Sequence, residues 1–183
     1  MFWILLLLMV CAGASEQAVS QWSSVFAETE IGISKDWSDL VGPLTFAIMM
    51  GSSRFLYGKF GEKMNLFKFM VYSTVLCIIA YLFIALPGVK ALNMIGCALV
   101  GFSVGILWPG TFSLASAGIR RGGTVMFAFL ALFGDVGCMA GPTYTGFVAD
   151  AMGGNLRGGI LCAIVFPILT LVSYMIYSRM KKE

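Results

Sequence analysis

Two carboxyl groups, those of Glu16 and Asp135, stand in long apolar stretches of the sequence, where an ionisable side chain is unusual. Glu16 follows the apolar run that starts at Phe2, and Asp135 lies among compact and apolar residues. An ionisable side chain inside a bilayer is costly unless it is paired or hydrated, and it therefore marks a functional site by default. The compact neighbours of Asp135 leave room for a partner helix, water or a proton. Proton coupling is one interpretation of Asp135, and a structural hydrogen bond to a neighbouring helix is the other.

Further polar side chains accompany Glu16 at helical spacing. At about 100° per residue, Gln17, Ser20 and Gln21 share one arc of a helix with Glu16, and the bulky apolar side chains occupy the opposite arc. A helix that lines a cavity explains this division. A helix lying flat on the membrane surface is the alternative, although residues 2–11 are apolar on all sides. The amides and the carboxylate could hydrogen-bond the hydroxyl groups of a small polar solute.

The chain that must position these residues has the composition of a membrane protein. Of its 183 residues, 59% are hydrophobic and 11% are charged, whereas a soluble domain carries about 25% charged residues. The formal net charge is +3 without a basic block, so no nucleic-acid partner is expected. Histidine is absent and the five cysteines form no CxxC pair, which argues against metal sites, cofactors and His-dependent catalysis. We therefore expect neither an enzyme nor a metalloprotein.

Six stretches of the sequence are candidates for membrane spans. A transmembrane helix needs about 20 mostly apolar residues, and turn or breaker residues separate six such stretches. They cover residues 2–27, 39–60, 66–86, 91–114, 123–148 and 158–178. Because the loops are short, we expect a single all-α transmembrane domain over residues 1–183. The first stretch could instead be a signal peptide cleaved near residues 12–14, but it lacks the positively charged start of such peptides.

The basic residues predict how these helices are oriented. Nine Lys and Arg residues fall on one side of the predicted bundle and three on the other, and short loops rich in Lys and Arg remain in the cytoplasm. The nine are Arg54, Lys59, Lys63, Lys68, Arg120, Arg121, Arg179, Lys181 and Lys182. Both termini are therefore expected in the cytoplasm. We expect a multi-pass protein of the cell membrane, or of the inner membrane in a cell that has two membranes.

Two predicted helix ends repeat one short pattern. Gly58 is followed four residues later by Glu62 at the end of the second span, and Gly146 by Asp150 at the end of the fifth. The two ends lie three helices apart, and thus on opposite sides of the membrane. Inverted repeats of this kind are typical of secondary transporters, so we expect the six helices to form a 3+3 inverted repeat.

The segment around Gly58 also resembles a family motif. Gly58, Glu62 and Lys63, preceded by Arg54, resemble the loop motif of the major facilitator superfamily, in which a glycine is followed by an acid four residues later and then by a base. Here a Glu stands in place of the usual Asp. An ordinary basic loop is the alternative interpretation.

The fourth predicted span carries a second motif. Gly101, Gly105 and Pro109 form a Gly-x3-Gly-x3-Pro pattern, in which small residues let helices approach closely and proline bends the helix. Generic helix packing explains this pattern when it is taken alone. Together with Trp108 and the residues that follow Pro109, it resembles the fucose-permease-like branch of the superfamily.

The resemblance implies that the chain is the C-terminal six-helix half of a twelve-helix transporter. In that family the solute cavity lies between two halves and is lined by the first and fourth helices of each half. The cavity candidates are Glu16, Gln17, Ser20, Gln21, Asn93 and Asp135. The implied activity is alternating-access transport of a small polar solute across the lipid bilayer, with sugars favoured and a proton as the coupling ion of a symporter.

The sequence contains no counterpart of the N-terminal half of such a transporter. The chain starts directly in an apolar stretch, which predicts either a fragment or a half-size protein whose second copy replaces the missing half. A truncated membrane protein that transports nothing, or a packing subunit, is the alternative function.

Overall fold

The computed structural model describes residues 1–86, 88–119 and 122–180, apart from the side chain of Glu62, and every regular element in these ranges is helical. The α-helices are α1 (Phe2–Ser20), α2 (Ser23–Phe26), α3 (Lys35–Phe60), α4 (Leu66–Ala85), α5 (Lys90–Val104), α6 (Leu107–Gly118), α7 (Gly123–Ala151), α8 (Leu156–Cys162) and α9 (Val165–Met180). A π-helical turn, Ala27–Ile31, follows α2, and a 3-10 turn, Gly61–Lys63, follows α3. The predicted all-α class is confirmed. Of the basic residues used for the orientation, Arg120, Arg121, Lys181 and Lys182 lie outside the described residues.

Five helical segments of the described chain are long and apolar enough to cross a bilayer. They are Phe2–Ser20, Leu66–Ala85, Lys90–Gly118, Gly123–Ala151 and Leu156–Met180. The helix α3 has 26 residues and would extend about 39 Å at 1.5 Å per residue, but it is not among the five. Pro43, Arg54 and several Gly and Ser residues dilute its apolar run. Its assignment as a sixth span stays a prediction.

The helix α1 lies at the centre of the bundle and packs against α5, α6, α7 and α9. Its most extensive contact is with α7, where glycines on both helices remove the side chains that would hold them apart. A Cβ atom on Gly13 would collide with the backbone of Gly134, and one on Gly137 would collide with the backbone of Val10. Small residues at a helix interface permit this close approach.

The helices α3 and α5 meet in a contact of the same kind. A Cβ atom on Gly101 would collide with the backbone of Phe46, just as one on Gly13 would collide with that of Gly134. Gly101 lies 88 residues after Gly13, and Gly134 lies 88 residues after Phe46. The step between the two helix-end glycines of the sequence repeat is also 88. The packing of α1 on α7 is thus repeated in the packing of α5 on α3.

Three of the long helical segments are interrupted. Of the six spans predicted from the sequence, the first breaks at Gln21–Trp22, the fourth at Gly105–Ile106 and the sixth at Ala163–Ile164. Pro109 and Pro167 account for the second and third breaks, because proline has no backbone N–H to offer the carbonyl four residues earlier. The bend that the sequence predicts from Pro109 is therefore present as a gap between α5 and α6.

The connection from α3 to α4 is short. The 3-10 turn leads to Asn65, whose side chain accepts a hydrogen bond of 3.0 Å from the backbone N–H of Lys68. This is an N-cap, which satisfies one of the free donors at a helix start. It fixes where α4 begins, and with it the position of the basic residues of this loop.

Candidate functional site

The central helix α1 is exposed at a few positions that its neighbouring helices leave open. Its residues from Leu5 to Val19 are largely buried by neighbouring helices, whereas Trp3 is 77% and Leu7 is 43% exposed. Near the end of α1, beyond the buried Ala14, Gln21 is exposed, and Glu16, Gln17 and Ser20 are partly exposed. The polar residues predicted to line a cavity thus lie at the partly exposed end of the helix at the centre of the bundle.

Three of these side chains form a hydrogen-bonded ladder. The Nε2 group of Gln21 donates to Oε1 of Gln17 at 3.1 Å, and the Nε2 group of Gln17 donates to Oε1 of Glu16 at 3.2 Å. Residues four apart face each other on a helix, so the ladder from Gln21 to Gln17 follows from the sequence spacing. The ladder holds the two amides in line and ends on the carboxyl group.

Arg54 reaches the same region from α3. Its Nε–H donates a hydrogen bond of 3.0 Å to the carbonyl oxygen of Gly105. This acceptor lies four residues before Pro109, which has no N–H to offer it. The Arg54 guanidinium is also within Coulombic range of the Glu16 carboxyl group, although the two are farther apart than the 4 Å of a direct ion pair. The hydrogen bond to Gly105 thereby fixes the guanidinium at the break between α5 and α6.

Asp135 lies on the exposed side of α7. Cys138, one turn further along α7, is within Coulombic range of both the Asp135 and the Glu16 carboxyl groups. Asp135 makes no ion pair with any residue in the described ranges. Asp135 and Glu16 thus share Cys138 as a neighbour within Coulombic range.

An open cleft of about 410 Å³ lies between α1, α2 and α7. It is lined by Gln21, Trp22, Val25, Pro142 and Thr143. The indole Nε1–H of Trp22 donates to the carbonyl oxygen of Pro142 at 3.1 Å, and this bond fixes the ring across the break between α1 and α2. The cleft offers a polar group and an aromatic wall to a small molecule.

Asn93 does not belong to this group. Its side chain is fully buried, and its Nδ2 group donates to the carbonyl oxygens of Phe83, Ile84 and Leu86 at 2.8, 3.0 and 2.8 Å. These are carbonyls at the end of α4 that lack an intrahelical donor. The cavity role expected from the sequence is corrected by this arrangement, in which Asn93 satisfies the end of a neighbouring helix.

The other residues of the loop motif lie at the end of α3 and in the 3-10 turn that follows it. Gly58 is exposed, and a Cβ atom there would meet nothing within 4 Å. Lys63 is exposed in the 3-10 turn, and the side chain of Glu62 lies outside what the structure describes. Any close neighbour of Gly58 must therefore come from outside the described part of the chain.

The glycines of the second motif are buried against α3. Gly101 contacts Phe46, while Gly105 contacts Met50 and Ser53. Pro109 is exposed in the first turn of α6. Within the described ranges no group of three or more His, Cys, Asp or Glu residues could hold a metal ion.

A family model described as Major Facilitator Superfamily matches residues 1–142 of the chain. The match includes the ladder, Arg54 and Asp135, and it ends at Pro142. No curated protein matches the chain.

Proposed function

The chain belongs to the major facilitator superfamily of membrane transporters, and we propose that it forms one wall of the solute pathway of a secondary carrier. Members of the family are transporters rather than enzymes, and the chain is an integral, multi-pass membrane protein. The proposal concerns what this wall does, which residues carry it and what completes it.

The observation that carries the proposal is the polar ladder at the partly exposed end of the central helix. Glu16, Gln17 and Gln21 lie on a helix whose other sides are buried by protein. The free energy of placing each of these polar groups in contact with lipid would be strongly unfavourable. A hydrated pathway on this side removes that cost, and it places a carboxyl group and two amides where a passing solute can bind them.

The repeated packing supports a 3+3 inverted repeat that includes α3 as the sixth span. The step of 88 residues relates the α1–α7 contact to the α5–α3 contact. In secondary transporters, binding sites lie at repeat interfaces and use interrupted helices. Both pathway helices of this proposal are interrupted, the first at Gln21–Trp22 and the fourth at Gly105–Ile106.

The exposed polar side chains of α1 call for a second unit in the membrane that shields them from lipid. We assign this role to another six-helix half, either a separate half or a second copy of this chain, with alternating access arising from the movement of the two units. We assign both termini to the cytoplasmic side of the cell membrane, because short loops rich in Lys and Arg remain in the cytoplasm.

The solute is small and polar. Amide and carboxyl groups bind hydroxyl groups well, which favours a sugar, in line with the resemblance to the fucose-permease-like branch. We assign proton coupling to Asp135, an exposed carboxyl group that forms no ion pair within the described ranges and lies within Coulombic range of the same Cys138 thiol as Glu16.

Transport into vesicles tests the proposal. The 183-residue chain is reconstituted at a density that permits dimers, and uptake of radiolabelled hexoses and 6-deoxyhexoses is measured with and without an imposed pH gradient. We expect uptake above that of empty vesicles, with at least a tenfold loss in Glu16→Gln and no loss in the matched control Glu28→Gln, which alters an exposed carboxyl group of the π-helical turn. Uptake equal to empty vesicles, with the chain alone and with a six-helix partner half, would establish the non-transporting alternative.

A further inference from the structure

A groove between α4 and α9 is separate from the polar ladder of α1. It has a volume of about 310 Å³ and is lined by Phe67, Val71, Leu171, Tyr174, Met175, Ser178 and Arg179. None of these residues belongs to the ladder or to the cleft beside it. The lining is apolar along most of its length and polar at one end, where Ser178 and Arg179 lie.

The helix directions explain why the groove has one polar end. The helix α4 starts at Leu66 and α9 ends at Met180, and the two helices run antiparallel. The ring of Phe67 packs edge-on against Tyr174 at a centroid distance of 5.8 Å and stacks on Tyr177 at 6.1 Å. This aromatic group closes the bottom of the groove near the helix ends. Further in, only aliphatic and thioether side chains line it.

The polar end of the groove belongs to the basic end of the bundle. Arg179 is exposed there, and Lys68 is exposed in the first turn of α4. Within the described ranges the structure contains a single ion pair, between Glu30 and Arg157, so Arg179 has no acidic partner in this part of the chain. Arginine binds phosphate through two parallel hydrogen bonds, and basic residues beside a membrane span attract anionic lipids.

We propose that this groove binds one anionic glycerophospholipid, with its phosphate at Arg179 and Ser178 and one acyl chain along Val71, Leu171 and Met175. The outer rims of the groove support this occupant. Met175, in the lining of the groove, is 56% exposed, and in a membrane span such a side chain faces lipid. A free phosphate ion would use the polar end alone and leave the apolar length of the groove unexplained, whereas a phospholipid matches both parts.

Native mass spectrometry of the purified chain tests this site. The chain in mild detergent is titrated with dioleoyl phosphatidylglycerol and, separately, with dioleoyl phosphatidylcholine. We expect one phosphatidylglycerol to be retained in preference to phosphatidylcholine. Arg179→Gln should lower that retention at least threefold, whereas Arg179→Lys, which keeps the charge, should retain most of it. Lys59→Gln is the matched control, because it removes a charge at the same end of the bundle but outside the groove.

A second pair of variants tests the apolar part of the groove. Val71→Trp should fill it and lower phosphatidylglycerol retention while Arg179 is intact. Val75→Trp, one turn further along α4 at an exposed position outside the lining, should not. Circular dichroism and gel filtration check that each variant folds, and Leu171→Trp replaces Val71→Trp if the latter does not.

Equal retention of the two lipids would overturn the proposal. So would an Arg179→Gln result no different from that of Lys59→Gln, or a Val71→Trp result no different from that of Val75→Trp. The experiment does not involve solute transport, so the lipid site stands or falls independently of the transport function.

Discussion

The Nε–H of Arg54 donates to the carbonyl oxygen of Gly105, and this carbonyl is the one that Pro109 leaves without an intrahelical donor. A proline in one helix thus creates an acceptor that an arginine of another helix uses. The bond ties α3 to the break between α5 and α6 and holds the guanidinium of Arg54 there. The Gly-x3-Pro spacing therefore fixes the position of a charged residue 51 positions earlier in the chain.

Removing the arginine should destabilise the bundle only while the proline is present. Arg54→Ala leaves the carbonyl of Gly105 without a donor, and we expect it to lower the free energy of unfolding by about 1–3 kcal/mol. In a Pro109→Ala background the new backbone N–H at position 109 supplies the donor, so the same change should have a smaller effect. Unfolding in mixed micelles, followed by circular dichroism, measures this coupling as a double-mutant cycle.

Lys59→Ala is the control for this cycle, because it removes an exposed positive charge from the last turn of the same helix. It should leave the unfolding free energy unchanged in both backgrounds. Equal losses for Arg54→Ala with and without Pro109 would show that the hydrogen bond to Gly105 does not contribute as described.

Two glycines of the bundle should respond in opposite directions to the same change. Gly137→Ala places a methyl group into the backbone of Val10, and overpacking of this kind lowers stability by about 1–3 kcal/mol. Gly51→Ala meets nothing within 4 Å, and alanine favours a helix over glycine by up to about 1 kcal/mol. Unfolding free energies of the two variants provide the test, and equal shifts would contradict the close packing of α1 on α7.

Gly58→Leu should separate folding from transport. The position is open within the described part of the chain, so we expect normal membrane insertion and an unchanged unfolding transition. In the complete carrier the leucine would occupy the space that a second unit needs, and solute uptake should fall at least tenfold. Gly51→Leu, at an equally open position of the same helix, is the control. Unchanged uptake in Gly58→Leu would contradict the motif assignment.

The polar site shows which contacts a sequence can predict. Gln17 and Gln21 bond to each other because they lie four apart on one helix, and helical spacing makes this visible in advance. The sequence relates Arg54 only to the loop motif. Its contact with Gly105 is not visible there, because it depends on how two distant helices pack. Pro109 carried a usable signal, because each proline inside a helical stretch leaves an acceptor free.

Asn93 and the helix breaks also show that a sequence does not reveal which distant groups come into contact. The sequence gives the depth of Asn93 along a predicted helix but not its neighbour, and its amide turned out to satisfy the last carbonyls of α4. Helical class follows from composition and apolar runs. The interruption at Gln21–Trp22 cannot be predicted in this way, because no proline is present there. In the structure a hydrogen bond from the Ser23 hydroxyl to the Ser20 carbonyl marks it.

The ion pair between Arg157 and Glu30 should stabilise one end of the bundle. Arg157 donates to Glu30 at 3.1 and 3.2 Å and to the carbonyl oxygen of Leu86 at 2.6 Å, and its guanidinium lies 5.9 Å from the ring centre of Phe26. The two side chains are 16% and 25% exposed, so screening by solvent is partial. Arg157→Gln should lower the unfolding free energy by about 2 kcal/mol, since breaking a fully buried pair costs about 3–5 kcal/mol.

Glu30→Gln should have a smaller effect, because Arg157 keeps its bond to Leu86. The control is Lys90→Gln at an exposed position. High salt should narrow the difference between wild type and both variants. A loss in Glu30→Gln that exceeds the loss in Arg157→Gln would contradict this account of the three contacts.

The carboxyl groups of Glu16 and Asp135 should differ in what their replacement removes. Asp135→Asn keeps the size and hydrogen-bonding capacity of the side chain but can no longer release a proton. If Asp135 couples protons, this change should abolish the dependence of uptake on the pH gradient while solute counterflow, which needs no net proton movement, continues. Glu16→Gln should instead lower both uptake and counterflow at least tenfold, because it replaces the carboxyl group at the end of the ladder that binds the solute.

Measuring uptake and counterflow on the same preparations separates the roles of Glu16 and Asp135. Glu28→Gln should match wild type in both assays, since Glu28 is exposed in the π-helical turn. An Asp135→Asn variant that keeps its full response to the pH gradient would show that Asp135 only fills space on α7. A Glu16→Gln variant with normal counterflow would remove Glu16 from the solute site. A hydrogen bond of 3.2 Å joins Glu16 to Gln17 in the ladder. If the solute binds to the ladder, both Glu16→Gln and Gln17→Ala should therefore lose counterflow. If it does not, Gln17→Ala should have normal counterflow as well.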